Sequence, residues 1–276
     1  MQAPATVDWL GLYLLEDLGP GDVTSETLLP HSEGRARVVA RGRTLVAGAR
    51  HAAELFRRLG AAATVQVADG AWAEPGATVL AVQGPARAIL AGERTALNLL
   101  ARMGGIATAT RALADQGVRV AGTRKTTPGF RAFEKEAIAI GGGDPHRMGL
   151  WDAAMVKDNH LAAVGGDVAA AVRLLRERHP GLVVECEVER REDALAAAAA
   201  GAHWILVDNQ PPEVGRVWAE EVARLHPGVR FEASGGVTPQ TVLAYAWADR
   251  VSLGWLTQKA PASDFALDWD PEPASP

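Results

Sequence analysis

The chain has 276 residues, of which 48% are hydrophobic and 22% are charged. This balance is typical of a folded globular protein and excludes intrinsic disorder. Its single cysteine excludes an intrachain disulfide and a CxxC metal site. A net charge of -5 argues against general nucleic-acid binding, and no apolar run approaches the roughly 18 residues of a membrane span. We therefore expect a cytoplasmic protein with neither a nucleic-acid nor a membrane partner.

The N-terminal part of the chain mixes strand-like and helical patterns. Between residues 38 and 83 short apolar runs alternate with Gly and Pro, which predicts strands joined by turns and a helix at about 51–59. From Pro85 onward the apolar residues recur at helical spacing. Gly104-Gly105 predicts the end of this helix and a domain boundary at residue 105.

Strand and helix patterns alternate in the rest of the chain. Strands separated by helices predict parallel βα units, either closed as a barrel or left open, and polar residues follow nearly every strand. Because barrel active sites form at that edge, we interpret this half as a βα-barrel. The predicted strands are VRVAGT, DAAMVK, LVVECEV, WILVDN, RFEAS and RVSLGW, and the predicted helices span 168–178, 192–200, 212–225 and 239–248.

Five side chains that can be positively charged lie near the predicted strand ends. Arg124 and Lys125 follow the first strand, Lys157 follows the second, and the glycine-rich loop GGGDPHRMG adds His146 and Arg147. Such groups would repel one another unless an anion joined them. The set therefore predicts a small ligand with several carboxylates or phosphates. For any single member the alternative is an ion pair on a solvated rim, with Glu134, Asp144 or Asp152.

The late strands carry a candidate phosphate site. Ser234-Gly235-Gly236 precedes the predicted helix at 239–248, which Thr238 can cap. Gly254 follows the last strand, and in barrels this late-strand pair is the common phosphate position. The alternative is that these glycines only form tight turns.

Two carboxylates at neighbouring strand ends, Glu187 and Asp208, form a candidate magnesium site. Two such groups beside a phosphate are typical ligands of Mg²⁺, but they could instead pair with the bases. Glu185, Glu187 and Glu189 alternate onto one face of their strand, with Cys186 on the other. We predict Cys186 to be a small buried apolar residue rather than a nucleophile.

Several segments of the sequence resemble those of a known family. The segments that carry the resemblance are EDLGPGDVTSETLLP (16–30), GERTALNLL (92–100), TRKTTPGFR (123–131), EKEAIAIGGGDPHRMGLWDAAMVKDNH (134–160), VECEVE (184–189), ILVDN (205–209), EASGG (232–236) and SLGWLTQKAP (252–261). They follow the pattern of the quinolinate phosphoribosyltransferases. The likeness covers nearly the whole chain, and the long TRKTTPG…HRMGL…KDNH series is highly specific.

The resemblance implies a reaction and a fold. Quinolinate and phosphoribosyl pyrophosphate would give nicotinate mononucleotide, pyrophosphate and CO2, with Mg²⁺ and no organic cofactor. The implied fold is an N-terminal α+β open-faced sandwich at residues 1–105, followed by an incomplete parallel α/β barrel at 106–276. This implied fold allows the C-terminal tail to return to the N-terminal domain. The implied assembly is a homodimer with shared active sites. A hexamer is the alternative larger assembly.

The resemblance also assigns roles to residues. Arg94 would reach the partner's site, while Arg124, Lys125, His146, Arg147 and Lys157 would surround quinolinate and the pyrophosphoryl group. Glu187 and Asp208 would hold the ribose hydroxyls or Mg²⁺. Lys125, Lys157, Glu187 and Asp208 would be the catalytic set. The 5′-phosphate would be bound by Ser234, Gly235, Gly236 and Gly254.

The sequence departs from the family pattern at a few positions, and two other functions stay open. Gly122 stands where relatives have Asp, Asp144-Pro145 precedes His146 where Asn is usual, and Gln258 replaces a common His. One alternative is an aldolase that forms a Schiff base on Lys157, which would require apolar surroundings. The other is a non-catalytic anion-binding relative.

Overall fold

The computed structural model describes residues 7–270, which form two compact units. The N-terminal unit holds the chain up to Arg111, Pro128–Gly142 and the residues from Ala260 onward, and the parallel-sheet unit holds Ala112–Thr127 and Gly143–Lys259. The helices are α1 (Trp9–Leu18), α2 (Val23–Leu28), α3 (Ala49–Arg58), α4 (Ala86–Ala114), α5 (Arg131–Ile140), α6 (Asp158–Ala163), α7 (Val168–Arg178), α8 (Arg191–Ala199), α9 (Pro212–Leu225) and α10 (Trp255–Gln258). The strands are β1 (Glu33–Ala40), β2 (Thr44–Leu45), β3 (Ala62–Val65), β4 (Trp72–Ala73), β5 (Thr78–Pro85), β6 (Val120–Ala121), β7 (Ala154–Val156), β8 (Val184–Val188), β9 (Trp204–Asp208), β10 (Arg230–Ser234), β11 (Arg250–Ser252) and β12 (Phe265–Trp269). Within residues 7–270 no helix has both the length and the apolar character needed to cross a membrane.

The N-terminal unit is built on an antiparallel sheet with the strand order β12-β1-β5-β3. Helix α3 packs on β3 and β5, because Ala52, Leu55 and Phe56 lie on one apolar face that is fully buried. Strand β12 pairs with β1, so the C-terminal segment returns to this unit. The α+β architecture confirms the fold class expected for this part of the chain.

Helix α4 continues through Gly104-Gly105 to Ala114, so the predicted helix end at these glycines is wrong. The predicted domain boundary at residue 105 therefore falls inside a helix. A Cβ at position 105 would lie 2.1 Å from the carbonyl oxygen of Pro261. The returning segment crosses the helix here and donates the Ser263 N–H to the Ala101 carbonyl at 2.9 Å. The glycines thus permit a close chain crossing, which the sequence pattern does not distinguish from a helix end.

The second unit is a parallel sheet with the strand order β6-β11-β10-β9-β8-β7. Its apolar core includes Val172, Ala197 and Val222 of α7, α8 and α9, which pack with Cys186 and Ile205 of the strands. All six predicted strands are confirmed, as are the helices predicted at 168–178, 192–200 and 212–225. Cys186 is fully buried, and burial raises the pKa of its thiol to about 12, so it is the buried apolar residue that was expected.

The helix predicted at 239–248 is wrong, because the chain forms only a short 3₁₀ helix at Val242–Tyr245. The Thr241 hydroxyl accepts the Thr238 N–H at 3.0 Å and lies 3.4 Å from the Thr238 carbonyl. Such side-chain bonds to the backbone compete with the first turn of a helix. The glycine turn after β10 is therefore not followed by an α-helix.

The parallel sheet curves around one interior face, but its two edge strands, β6 and β7, do not pair with each other. Residues that follow the two outermost strands, Thr123 after β6 and Lys157 after β7, line the same cavity. Asp144 forms a single parallel bridge with Ala121 of β6. From the same segment, Arg147 donates to the carbonyl of Ala153 at 3.1 Å, directly before β7. The result is the incomplete α/β barrel that was predicted.

Candidate active site

A cavity of about 450 Å³ opens at the carboxyl ends of the six parallel strands. It is lined only by residues of the parallel-sheet unit. Every predicted site residue of that unit lines it: Arg124, Lys125, His146, Arg147, Lys157, Glu187, Asp208, Ser234, Gly235, Gly236 and Gly254. Arg94 does not line it and lies exposed on α4. The residues predicted from their positions at strand ends therefore line one cavity.

Hydrogen bonds within the chain hold the loop after β6 that carries Arg124 and Lys125. The Thr123 hydroxyl accepts the Lys125 N–H at 3.0 Å, and the Thr257 hydroxyl donates to the Lys125 carbonyl at 2.6 Å. Both basic residues are exposed at the cavity. The backbone is thus fixed while the two cationic side chains remain accessible to a ligand.

Lys157 at the end of β7 forms an ion pair with Glu187 of β8. Its side chain is 37% exposed. An amine that forms a Schiff base requires apolar surroundings, whereas Lys157 contacts a carboxylate and is partly exposed. The structure therefore does not support the aldolase alternative. Glu187 thus pairs with a base, which is one of the two roles expected for it.

Arg147 is a buried cation on the wall of the cavity. Its guanidinium donates to the Ala153 carbonyl and approaches the Met155 sulfur at 3.3 Å, and it forms no ion pair with a carboxylate of residues 7–270. Burial and the positive charge of Arg124 lower the pKa of Arg147 below its ordinary value. A buried guanidinium without an anion is costly, so this wall is suited to an anionic ligand.

A layer of charged residues lies beneath the cavity, on the interior face of the strands. Glu232 of β10 pairs with Arg250 of β11 directly opposite, and Ser252 also donates to Glu232. Arg250 reaches Glu185 of β8 at 3.2 Å. His146 Nε2 lies 3.2 Å from a Glu232 oxygen, and its ring side chain is only 7% exposed. Glu185, Glu232 and Arg250 were not predicted to belong to the site, although charged residues that recur at alternate positions of buried strands indicate such a layer.

The two buried carboxyl groups of this layer differ in their ionisation. Burial and the charge of Glu232 raise the pKa of Glu185 well above its usual range. Burial also opposes ionisation of Glu232, but a hydrogen bond from His146, the charge of Arg250 and a hydrogen bond from Ser252 lower its pKa to about 2. Of the two carboxyl groups, that of Glu232 therefore ionises more readily, and a buried carboxylate requires a partner such as the Arg250 guanidinium.

The turn after β10 is shaped by two glycines in the left-handed region, Gly235 with φ +87° and Gly236 with φ +63°. A Cβ on Gly235 would lie 2.3 Å from Asn209 Oδ1. Asn209 follows β9, and its N–H donates to the Ser234 carbonyl at 3.0 Å. Consecutive backbone N–H groups in such turns form a concave anion site, so a phosphate can still bind here without the predicted helix.

Asp208 and Glu187 both line the cavity and offer carboxylate oxygens. Asp208 accepts from Asn209 Nδ2 at 2.6 Å, and the Glu187 carboxylate forms an ion pair with the ammonium of Lys157. Hard oxygen donors of this kind fit Mg²⁺ that arrives with a phosphorylated ligand. In residues 7–270 the one cluster of three potential metal ligands is His146, Glu185 and Glu232. Because Arg250 occupies its centre, that cluster is a poor cation site.

The fold and the site together define a protein of the parallel α/β class with a cavity suited to small, multiply anionic ligands. Comparison with known sequences narrows this class. The family profile "Quinolinate phosphoribosyl transferase, N-terminal domain" matches residues 22–104, and the corresponding C-terminal domain profile matches residues 106–268. The chain belongs to the quinolinate phosphoribosyl transferase family and is a pentosyltransferase.

Individual relatives agree with this assignment. A probable carboxylating nicotinate-nucleotide pyrophosphorylase from Bacillus subtilis is 38% identical over 268 residues, covering 94% of this chain and 91% of the relative. One from Methanothermobacter thermautotrophicus is 42% identical over 265 residues, covering 91% and 94%. The solved structure of the nicotinate-nucleotide pyrophosphorylase from Francisella tularensis aligns with a TM-score of 0.87 at 29% identity, covering 98% of this chain and 100% of that one.

Proposed function

We propose that this chain transfers the phosphoribosyl group of phosphoribosyl pyrophosphate to quinolinate and releases pyrophosphate and CO2, forming nicotinate mononucleotide for NAD biosynthesis. The observation that carries the proposal is a cavity in which four cations, three carboxylates and a glycine turn meet in a member of this family. Relatives that share more than a third of their residues with the chain are named as enzymes of this reaction.

The charges of the cavity match those of the two substrates. Quinolinate carries two carboxylates and phosphoribosyl pyrophosphate carries three phosphoryl groups, so cationic side chains from several strand ends are needed together. Arg124, Lys125, Arg147 and Lys157 line the cavity and can neutralise these groups. The Ser234-Gly235-Gly236 turn and Gly254 are suited to the 5′-phosphate.

The residues support the transfer by position and charge, without a covalent nucleophile. Departure of pyrophosphate leaves positive charge on the ribose ring, which Glu187 and Asp208 can stabilise. Lys125 and Lys157 can neutralise the leaving pyrophosphate. Mg²⁺ held by Glu187 and Asp208 would neutralise further charge on the pyrophosphate.

Decarboxylation follows from the quaternised ring. The quinolinate nitrogen forms a bond to the ribose C1 as the bond to pyrophosphate breaks, which makes the pyridine cationic. The bond between C2 and its carboxylate then breaks, its electron pair is stabilised by the cationic ring, and C2 takes up one proton from water. The protein contributes mainly by fixing the carboxylate orientation with cations.

The proposal also includes the oligomeric state of the protein and its cellular compartment. A homodimer in which Arg94 of each chain serves the partner's cavity is supported by the exposed position of Arg94 on α4 and by the family motif GERTALN. A hexamer is the larger assembly that we consider. A measurement of the particle mass in solution distinguishes a dimer from a hexamer. The proposed compartment is the cytoplasm.

The test is an assay of purified protein with quinolinate, phosphoribosyl pyrophosphate and Mg²⁺. Formation of nicotinate mononucleotide together with labelled CO2 from quinolinate labelled at the 2-carboxylate is expected. Binding of both substrates without either product would indicate a non-catalytic relative and would contradict the proposal.

A further inference from the structure

Strands β9 and β10 end side by side at the cavity. Asp208 is the last residue of β9 and lies opposite Ser234, the last residue of β10, in the parallel register. Both residues line the cavity. In the proposed function Asp208 faces the ribose, while the turn that begins at Ser234 binds the 5′-phosphate. Because one substrate carries both groups, the carboxylate and the turn must keep a fixed spacing.

Asn209, which directly follows Asp208, has an unusual backbone conformation. Its φ of +53° lies in the left-handed region, which asparagine tolerates better than most residues other than glycine. In this conformation the Asn209 N–H donates to the Ser234 carbonyl at 3.0 Å, so the pairing of the two strands continues one residue past the end of β9. Such a conformation persists where the surroundings enforce it, and such residues cluster at functional sites.

The side chain of Asn209 lies between the Asp208 carboxylate and the glycine turn. Its Nδ2 donates to Asp208 Oδ2 at 2.6 Å. Its Oδ1 occupies the space that a Cβ on Gly235 would need. The side-chain amide therefore contacts both of the groups that the ribose phosphate would bridge. It also gives position 235 a second reason to be glycine, besides the positive φ of that residue.

The next residue anchors the backbone of the same loop. Gln210 Nε2 donates to the Asp208 carbonyl at 3.3 Å and to the Glu189 carbonyl at 3.2 Å. The Gln210 carbonyl accepts the Tyr245 hydroxyl at 3.3 Å. These hydrogen bonds hold the main chain after β9, whereas the bond from Asn209 reaches the Asp208 carboxylate itself.

We propose that Asn209 is a positioning residue that holds the Asp208 carboxylate in place beside the phosphate turn. Its side-chain amide orients the carboxylate, and its left-handed backbone joins the end of β9 to Ser234. A ribose 5-phosphate unit then meets a carboxylate and a turn that are already aligned, so less binding energy is spent on ordering them. The identity of that ligand rests on the proposed function.

Glycine and alanine substitutions separate the side-chain amide from the backbone conformation. Asn209→Gly removes the amide but tolerates the left-handed region, and it should lower kcat about tenfold because one charge-assisted hydrogen bond to Asp208 is lost. The KM for quinolinate should change less than about twofold. Asn209→Ala also opposes the positive φ and should lower kcat further. An unchanged kcat in Asn209→Gly, a rise only in the KM for quinolinate, or a higher kcat in Asn209→Ala than in Asn209→Gly would overturn the proposal.

A double-mutant cycle tests whether Asn209 acts through Asp208. The combined variant Asp208→Ala with Asn209→Gly should have a kcat/KM for phosphoribosyl pyrophosphate within about twofold of that of Asp208→Ala. A loss equal to the product of the two single losses would mean that Asn209 acts independently and would overturn the proposal. Gln116→Gly is the control, because it removes an exposed side-chain amide that donates to a backbone carbonyl, that of Ala112, outside the cavity. Its kcat/KM should equal that of the wild type.

The hydrogen bond can be measured without any ligand. The chain has three asparagines, Asn98, Asn159 and Asn209, so proton NMR can resolve their side-chain amides and Asn209→Gly assigns the third. A bond to a carboxylate deshields one of the two amide protons, so the separation of the Asn209 signals should exceed that of the exposed Asn98 and should collapse in Asp208→Ala. Equal separations in the wild type would overturn the proposal.

The NMR measurement also keeps this proposal separate from the proposed function. A wild-type protein that forms no nicotinate mononucleotide would contradict the proposed function. The amide signals of that protein would still decide whether Asn209 holds Asp208.

Discussion

Glu232 of β10 and Arg250 of β11 lie directly opposite each other in the parallel register and form an ion pair inside the sheet. The interior of such barrels is usually filled with branched apolar side chains. In this chain the guanidinium of Arg250 stacks on the Trp204 ring at 3.9 Å, and the cavity lies beyond the carboxylate of Glu232. The ion pair therefore forms the floor of the active site.

The Glu232 carboxylate is expected to make the free energy of unfolding depend on pH in acid. Its pKa is about 2 in the folded protein and 4.5 for an ordinary glutamate. Between these values the unfolded chain binds a proton that the folded chain does not, so stability falls as the pH drops toward 2. The contribution is on the order of 3 kcal/mol.

Urea titrations of the wild type and Glu232→Gln at a series of acid pH values measure this contribution. The stability difference between the two proteins should shrink steadily as the pH falls. A difference that stays constant through the acid range would show that Glu232 keeps an ordinary pKa.

Glu185 is expected to act in the opposite direction. Because its pKa is raised, the folded chain retains a proton that the unfolded chain releases above its ordinary pKa of 4.5. Stability from this group is complete below that value and is lost as the pH rises through the raised pKa. Glu185→Gln imitates the neutral acid, so its unfolding free energy at neutral pH should equal or exceed that of the wild type. A large loss of stability at neutral pH would contradict this assignment.

The cations of the cavity are expected to support turnover without supporting the fold. Arg124→Ala or Lys157→Ala should lower kcat/KM by about a hundredfold or more, since each removes a contact to a charged substrate or leaving group. The melting temperature should change little, because both side chains are partly or fully exposed. Arg173→Ala, an exposed arginine of α7, is the control and should leave kcat/KM unchanged. Near-normal activity in either cavity variant would remove that residue from the site.

Replacement of both Glu187 and Asp208 by Ala should abolish the response of activity to Mg²⁺. The two oxygen ligands beside the pyrophosphate would be lost. Glu189→Ala removes an exposed carboxylate two residues beyond Glu187 and should retain the wild-type response. High activity with unchanged metal dependence in the double variant would mean that these carboxylates serve only as partners of the bases, as the ion pair of Glu187 with Lys157 permits.

The proposed sharing of active sites is tested by mixing two inactive variants. Arg94→Ala and Lys157→Ala should each be nearly inactive, and their mixture should recover activity, because one of the two sites in a mixed dimer has both residues intact. With random exchange about half of the dimers are mixed, so recovery should approach about a quarter of the wild-type activity. Once subunit exchange is verified by mass measurement, a mixture as inactive as its parents would show that Arg94 does not serve a partner.

Much of this protein was accessible from local patterns in the sequence. Alternating apolar residues located the parallel strands, and the amphipathic spacing at 168–178 and 212–225 located α7 and α9. These elements are determined by neighbours a few residues away, which is why periodicity reveals them. The residues that follow parallel strands meet at one edge by geometry alone. For that reason Arg124, Lys157 and Asp208 could be predicted to line a common cavity.

Contacts between distant segments decided the rest. In the sequence Gly104-Gly105 looks like a helix end, but α4 continues there because the glycines let the segment at Pro261 cross it closely. At 239–248 only a short 3₁₀ helix forms, and the Thr241 hydroxyl accepts the N–H of Thr238. The sequence by itself determined which side chains stand at the strand ends and therefore what chemistry the cavity can perform. Only the tertiary structure decided that His146 turns its ring toward Glu232, because that orientation depends on a buried carboxylate 86 residues away in the chain.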